Sequence, residues 1–147
     1  MVMNSVSLDK ARSAVKRKVA QQDRDVFSMY AGCEETNSLI LWRLPGHPDF
    51  DAAAKRVIAQ YPGVGLVLID ARWSNHQIHR AIKAAVARFP VLLAHGIQVQ
   101  SAEYVYGSDG YYEVNVGTYG DLETAQRLLA DLGPLVRAVR GGDVAPA

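Results

Sequence analysis

Apolar residues fall along this chain in two rhythms, one of three and four residues and one of two. Leu8, Ala11, Val15, Val19 and Val26 form a narrow stripe in an otherwise charged stretch. This predicts a first helix with Ser7 at its cap and Gly32 at its end. Cys33 to Asn37 reads as a polar loop. Ser38 to Leu44 is short, apolar and closed by Pro45-Gly46, as a strand would be. Pro48 suits the first turn of a second helix, and Asp49 and Asp51 favour its positive end. Phe50, Ala54, Val57, Ile58 and Tyr61 share one face of that helix, and Tyr61-Pro62-Gly63 stops it. Leu66-Val67-Leu68-Ile69 is an unbroken apolar run, which predicts a strand covered on both faces. Strand, helix and strand in this order imply a right-handed parallel crossover.

Ser74 and Gln77 have capping-box spacing before a third helix with Ile78, Ile82, Val86 and Phe89 as its buried stripe. Pro90 breaks or kinks that helix. Val91 to His95 fits either a short helix capped by Gly96 or the start of a strand. Ile97 to Tyr106 is strand-like, and Ser108-Asp109-Gly110 predicts a tight reversal. On the return strand, Tyr112, Val114, Val116 and Thr118 alternate with Glu113, Asn115 and Gly117. A last helix runs from Asp121 through Ala125, Leu128, Leu129 and Leu132 to Gly133-Pro134. Leu135 to Arg140 fits a final edge strand or another helical turn.

No internal repeat, low-complexity segment or linker is visible, so residues 1–147 read as one α/β domain with frayed ends at 1–6 and 141–147. The element order from Gly65 onward predicts an α+β sandwich with a ferredoxin-like βαββα(β) core. An N-terminal helix and a β-α unit precede it, in one mixed sheet of about four to five strands.

Composition narrows function only slightly. With 49% apolar and 21% charged residues the chain is ordinary for a globular domain. A formal net charge of +1 supplies no global field for nucleic acid or an anionic membrane. No apolar run is long enough to span a bilayer, and Met1 to Lys18 lacks a signal-peptide core. The single cysteine, Cys33, forbids an intramolecular disulfide and suits a reducing compartment. The expected location is the cytoplasm, and the style of the chain is bacterial.

The best place for a site is geometric. If strands 38–44 and 65–70 are parallel, their carboxyl ends gather Arg43, His47 and Asp49 from the first, and Asp70, Arg72, Trp73, Ser74, Asn75 and His76 from the second. Two helix N-termini would face the same edge and favour a small anionic ligand. Arg43, His47, Asp70, Arg72, Trp73, Asn75 and His76 are therefore the candidate ligand-binding residues. Asp70 stands out because a carboxylate at the end of a buried run needs a partner. The plainer reading, and the favoured one, is that Asp70 pairs with Arg72 or a helix N-terminus and simply holds the loop.

His76 and His79 are spaced to share a helical face, but no third metal ligand is marked, and a solvated first turn explains them. His47 beside Asp49 and Asp51 is explained by a helix start. Cys33 lies beside Glu34 and Glu35, which would raise its pKa, so it is not read as a nucleophile. No phosphate loop, dinucleotide fingerprint or nucleophile elbow is present, and no cofactor, metal or catalytic residue is expected. Lys10, Arg12, Lys16, Arg17 and Lys18 read as a solvated helix face diluted by acids rather than a nucleic-acid patch. Tyr104, Tyr106, Tyr111 and Tyr112 read as cross-strand aromatic pairs rather than a base-stacking surface.

Tyr112-Glu-Val-Asn-Val-Gly-Thr-Tyr119, followed by Ala125, Leu129 and Leu132, resembles the second half of a sporulation-related repeat domain. That resemblance implies a ferredoxin-like fold and peptidoglycan binding. It covers about a quarter of the chain, and Gly65 to Trp73 lacks the family's corresponding glycine motif.

The preferred expectation is a non-enzymatic binding or regulatory protein that forms a homodimer through sheet edges or the first helix. The alternatives are a small enzyme or anionic-metabolite-binding protein using the strand-end cleft, and a nucleic-acid-binding accessory protein using the basic N-terminal helix.

Overall fold

The computed structural model describes residues 4–107 and 111–141. The chain is α+β and divides into two compact units, Met1–His76 and Gln77–Ala147. The expected reversal at 108–110 and the expected tail beyond Gly141 lie outside the described residues.

In the first unit, α1 (Asn4–Val15) continues as a π-helical turn over Lys16–Ala20, where Gln21 N–H bonds five residues back to Lys16 O at 2.9 Å. The stripe Leu8, Ala11, Val15 and Val19 is buried as expected. The helix does not reach Gly32, however, and Ser7 lies inside it rather than at its cap. Phe27–Cys33 is instead a strand, β1, paired antiparallel with β2 (Ser38–Arg43). Gly32 sits within that strand opposite Leu39, and Leu8 lies close to it: a Cβ there would come 3.3 Å from the Leu8 side chain. Asn37 takes a positive φ of 50° in the connecting turn, a conformation asparagine tolerates, and its Nδ2 donates to Gly63 O at 2.7 Å.

The crossover from β2 through α2 (Pro48–Ile58) to β3 (Gly65–Asp70) is parallel, with Arg43 in register with Asp70. One face of β1-β2-β3 packs Leu39, Leu41, Leu66 and Leu68 under the apolar sides of α1 and α2, where Ala11, Val15, Phe50, Ala54 and Val57 are buried. The run 66–69 was expected to be covered on both faces. It is an edge strand, and Val67 is 44% exposed. Its central-strand composition answers to one buried face and one apolar reverse face, not to a position inside the sheet.

α3 (Asn75–Ala87), of which all but the first two residues belong to the second unit, leads to α4 (Phe89–Ala94), so the ambiguous 91–95 stretch is mostly helix, restarted with Pro90 in its first turn. β4 (Gln98–Tyr106) pairs antiparallel with β5 (Tyr112–Tyr119). β5 then crosses through α5 (Leu122–Leu129) and a 3-10 turn to β6 (Val136–Arg140), which pairs parallel to it. The other ambiguous stretch, 135–140, is thus a strand. Ala125 and Leu129 of α5 and Val114, Val116, Val136 and Ala138 of the sheet are buried.

The described strands form two three-stranded sheets, β1-β2-β3 and β4-β5-β6, where one mixed sheet was expected. The physical reason is β1. Once Phe27–Cys33 pairs with β2, β3 completes that sheet, and β4, β5 and β6 form their own. Both sheets have the same plan: an antiparallel hairpin, then a helical crossover to a parallel third strand. A topological repeat is therefore present without a repeat in sequence.

Candidate functional site

Parallel pairing sets the carboxyl ends of β2 and β3 side by side, as expected. The first turn of α2 returns to the same end and brings Asp51 with it. Arg43 Nε donates to Asp51 Oδ1 at 2.7 Å and its Nη2 to Asp51 Oδ2 at 3.1 Å, a bidentate fork. Nη1 donates to Asp70 Oδ1 at 2.6 Å. The Arg43 side chain is only 12% exposed, and its pKa is held above the ordinary arginine value, first by the bond to Asp51 and then by Asp70, against desolvation. One guanidinium so ties β2, β3 and α2 together, and the two carboxylates leave a net negative charge beside it. Asp70 has the structural partner that its position demanded, but that partner is Arg43 rather than Arg72.

A second polar group forms at the same end of the sheet, where β1 begins. Asn75 is buried; its Oδ1 accepts from Arg24 Nε at 3.0 Å and its Nδ2 donates to Ser28 O at 3.3 Å. His76 follows, with its backbone N–H on Arg24 O at 3.1 Å and its Nδ1 3.0 Å from Asp25 Oδ1. His47 and Arg72 are exposed, and Trp73 is half-buried. Of the seven expected residues, Arg43 and Asp70 thus meet in one cluster, and Asn75 and His76 in another. Arg24, Asp25 and Asp51 complete the two groups. Arg24 and Asp25 were assigned to the first helix, and Asp51 was read only as a helix-start charge.

His76 turns to Asp25, whereas the ring of His79 lies 6.1 Å from that of Tyr104, so the two histidines do not converge. Among the described residues no group of three metal-ligating acidic, histidine or cysteine side chains occurs. Tyr106 and Tyr112 stack edge-to-face across the hairpin with centroids 5.1 Å apart. Burial and the neighbouring tyrosines push the Tyr112 pKa up. Cys33 departs from expectation: hydrogen bonds from Thr36 pull its pKa down, against desolvation and the smaller effect of the Glu35 charge.

Sequence reasoning gave no signal for a depression of about 420 Å³ on the open face of β4-β5-β6. Gln100, Ser101, Glu103, Asn115 and Gly117 line it, and Asn115 Oδ1 is buried there with no hydrogen-bond partner.

No protein-family model matches the chain, and no curated protein matches its sequence. The likeness of 112–132 to a sporulation-related repeat domain therefore rests on one strand and one helix.

Proposed function

We propose that the chain is a non-enzymatic binding or regulatory protein that works as a homodimer in the cytoplasm. The observation that supports this reading is the engagement of Arg43 by Asp51 and Asp70, which makes the best candidate cleft a structural joint between β2, β3 and α2. Catalysis needs polar groups held toward a substrate. Here the strand-end groups are held toward one another. At the same time Val67, Val91 and Leu93 are 44%, 43% and 66% exposed, apolar surface of the kind that association removes from water. The lone Cys33 fits a reducing compartment.

Light scattering over a micromolar concentration series tests the reading, with a mass near twice 16.1 kDa expected. A mass of one chain throughout would refute it. A metabolite that raises the melting temperature of the parent protein but not of Asp70→Ala would replace it with the small-ligand reading.

A further inference from the structure

Each of the two sheets has two outer strands, and natural proteins blunt such edges because an unpaired ladder recruits another strand. Three of the four edges carry more than one recognisable device. β1 has a register shift between Phe27 and Met29, and Asn75 Nδ2 occupies Ser28 O. β4 has a shift between Val99 and Ser101 and bears exposed Gln100 and Glu103. β6 bears exposed Arg137 and Arg140, and Gln126 Oε1 accepts from Ala138 N–H at 2.9 Å.

β3 has only one of these, the exposed Asp70 at its last position. Its sequence is Gly-Leu-Val-Leu-Ile-Asp, with no bulge, proline or basic residue. Gly65 N–H bonds to Asn37 O at 2.9 Å and Ala71 N–H to Arg43 O at 2.8 Å. Alternate amides from Gly65 therefore face β2, and the N–H and C=O groups of Leu66, Leu68 and Asp70 face outward. Val67 stands exposed on the reverse face of the same edge.

We infer that β3 is the dimerisation strand, pairing antiparallel with β3 of a second copy about Leu68. This deepens the homodimer reading and rests on it. In that register Leu68 lies opposite Leu68 of the partner subunit, and Leu66 lies opposite the partner's Asp70. Every outward amide of β3 is then in a hydrogen-bonded pair. Val67 lies opposite the partner's Ile69, which covers the exposed valine with an apolar side chain. The one charge on the strand, Asp70, meets Leu66 rather than another carboxylate and keeps Arg43 as its counter-ion. A second copy is the occupant that fits because it brings the same open ladder and the same apolar row, so one contact removes both edges.

Val67→Lys places a charge on an already exposed site, so it is expected to leave the monomer folded and to raise the dimer dissociation constant at least roughly tenfold. Val67→Thr keeps a strand-forming side chain and is expected to dimerise, as is Leu93→Lys on α4. In the parent protein, hydrogen exchange at Leu66, Leu68 and Asp70 is expected to slow as concentration rises. A dimer that survives Val67→Lys, or that forms without that protection, overturns the inference while leaving homodimerisation standing. A parent protein that remains monomeric overturns both.

Discussion

The two sheets share one topology and present opposite reverse faces. On β1-β2-β3, the row that alternates with the core residues holds Met29, Ala31, Ile40, Trp42, Val67 and Ile69. On β4-β5-β6 the matching row mixes Ser101, Glu103, Glu113, Asn115 and Arg137 with Val105 and Val139. The inward rows are alike: Leu39, Leu41, Leu66 and Leu68 in one, Val114, Val116, Val136 and Ala138 in the other. An antiparallel hairpin with a parallel third strand thus needs one apolar row and a covering helix, and the other row is free to differ. In this protein that freedom yields one face suited to burial and one suited to water.

The largest effects that would break the comparison are in the inward rows. Leu41→Ala and Leu129→Ala remove fully buried side chains, and each is expected to cost about 2–5 kcal/mol by denaturant unfolding. If the two units are separate cooperative regions, hydrogen exchange will quicken mainly in the unit that carries the change.

Next come the ties at the strand ends. Arg43→Ala removes the guanidinium that bonds both Asp51 and Asp70. A loss of about 2 kcal/mol is expected after allowance for the solvent that reaches both carboxylates. Arg43→Lys should recover only part of it, because an ammonium cannot make the bidentate fork.

The reverse faces can be tested by exchange of character. Ile40→Asn places an amide in an apolar row and is expected to cost about 1–3 kcal/mol. Asn115→Ile removes a buried carbonyl oxygen that has no partner, and no loss of stability is expected from it. Equal destabilisation by both would show that the polar face is as tightly specified as the apolar one.

The smallest effect is electrostatic. Arg88 forks onto Asp131 at 2.7 and 2.6 Å and holds that carboxyl below its ordinary pKa. A carboxyl whose folded pKa is depressed contributes stability above its unfolded pKa and loses it as pH falls through the folded value. The melting temperature of Asp131→Asn is therefore expected to lie slightly below the parent at neutral pH and to converge with it under acid conditions.

The response of the sequence to these questions is uneven, and the unevenness has causes. Period and punctuation were enough for β2, α2, β5 and α5, and for the existence of β3 and α3. The buried stripe expected of α3 is found only in part: Ile78 is buried, but Val86 is 48% exposed and Ala85 is buried in its stead. The joint of Arg43 and Asp70 was legible in outline, because parallel strands must place their carboxyl ends together. Its third member, Asp51, and the bond of Asn75 to Arg24 depended on how α2 and the start of β1 return to the same edge.

What the amino-acid sequence determined by itself was therefore local: which stretches repeat every two residues, which every three or four, and which residues can start or stop them. Tertiary structure alone decided that Phe27–Cys33 leaves the first helix to become β1, because its gain comes from pairing with β2 and from Leu8 over Gly32. It alone placed the apolar run of β3 at an edge. Neighbour order in a sheet is settled by the strand that arrives on the far side of β2. The helix-like spacing of Val19 and Val26 just ahead of that strand concealed it until packing chose between the two periods.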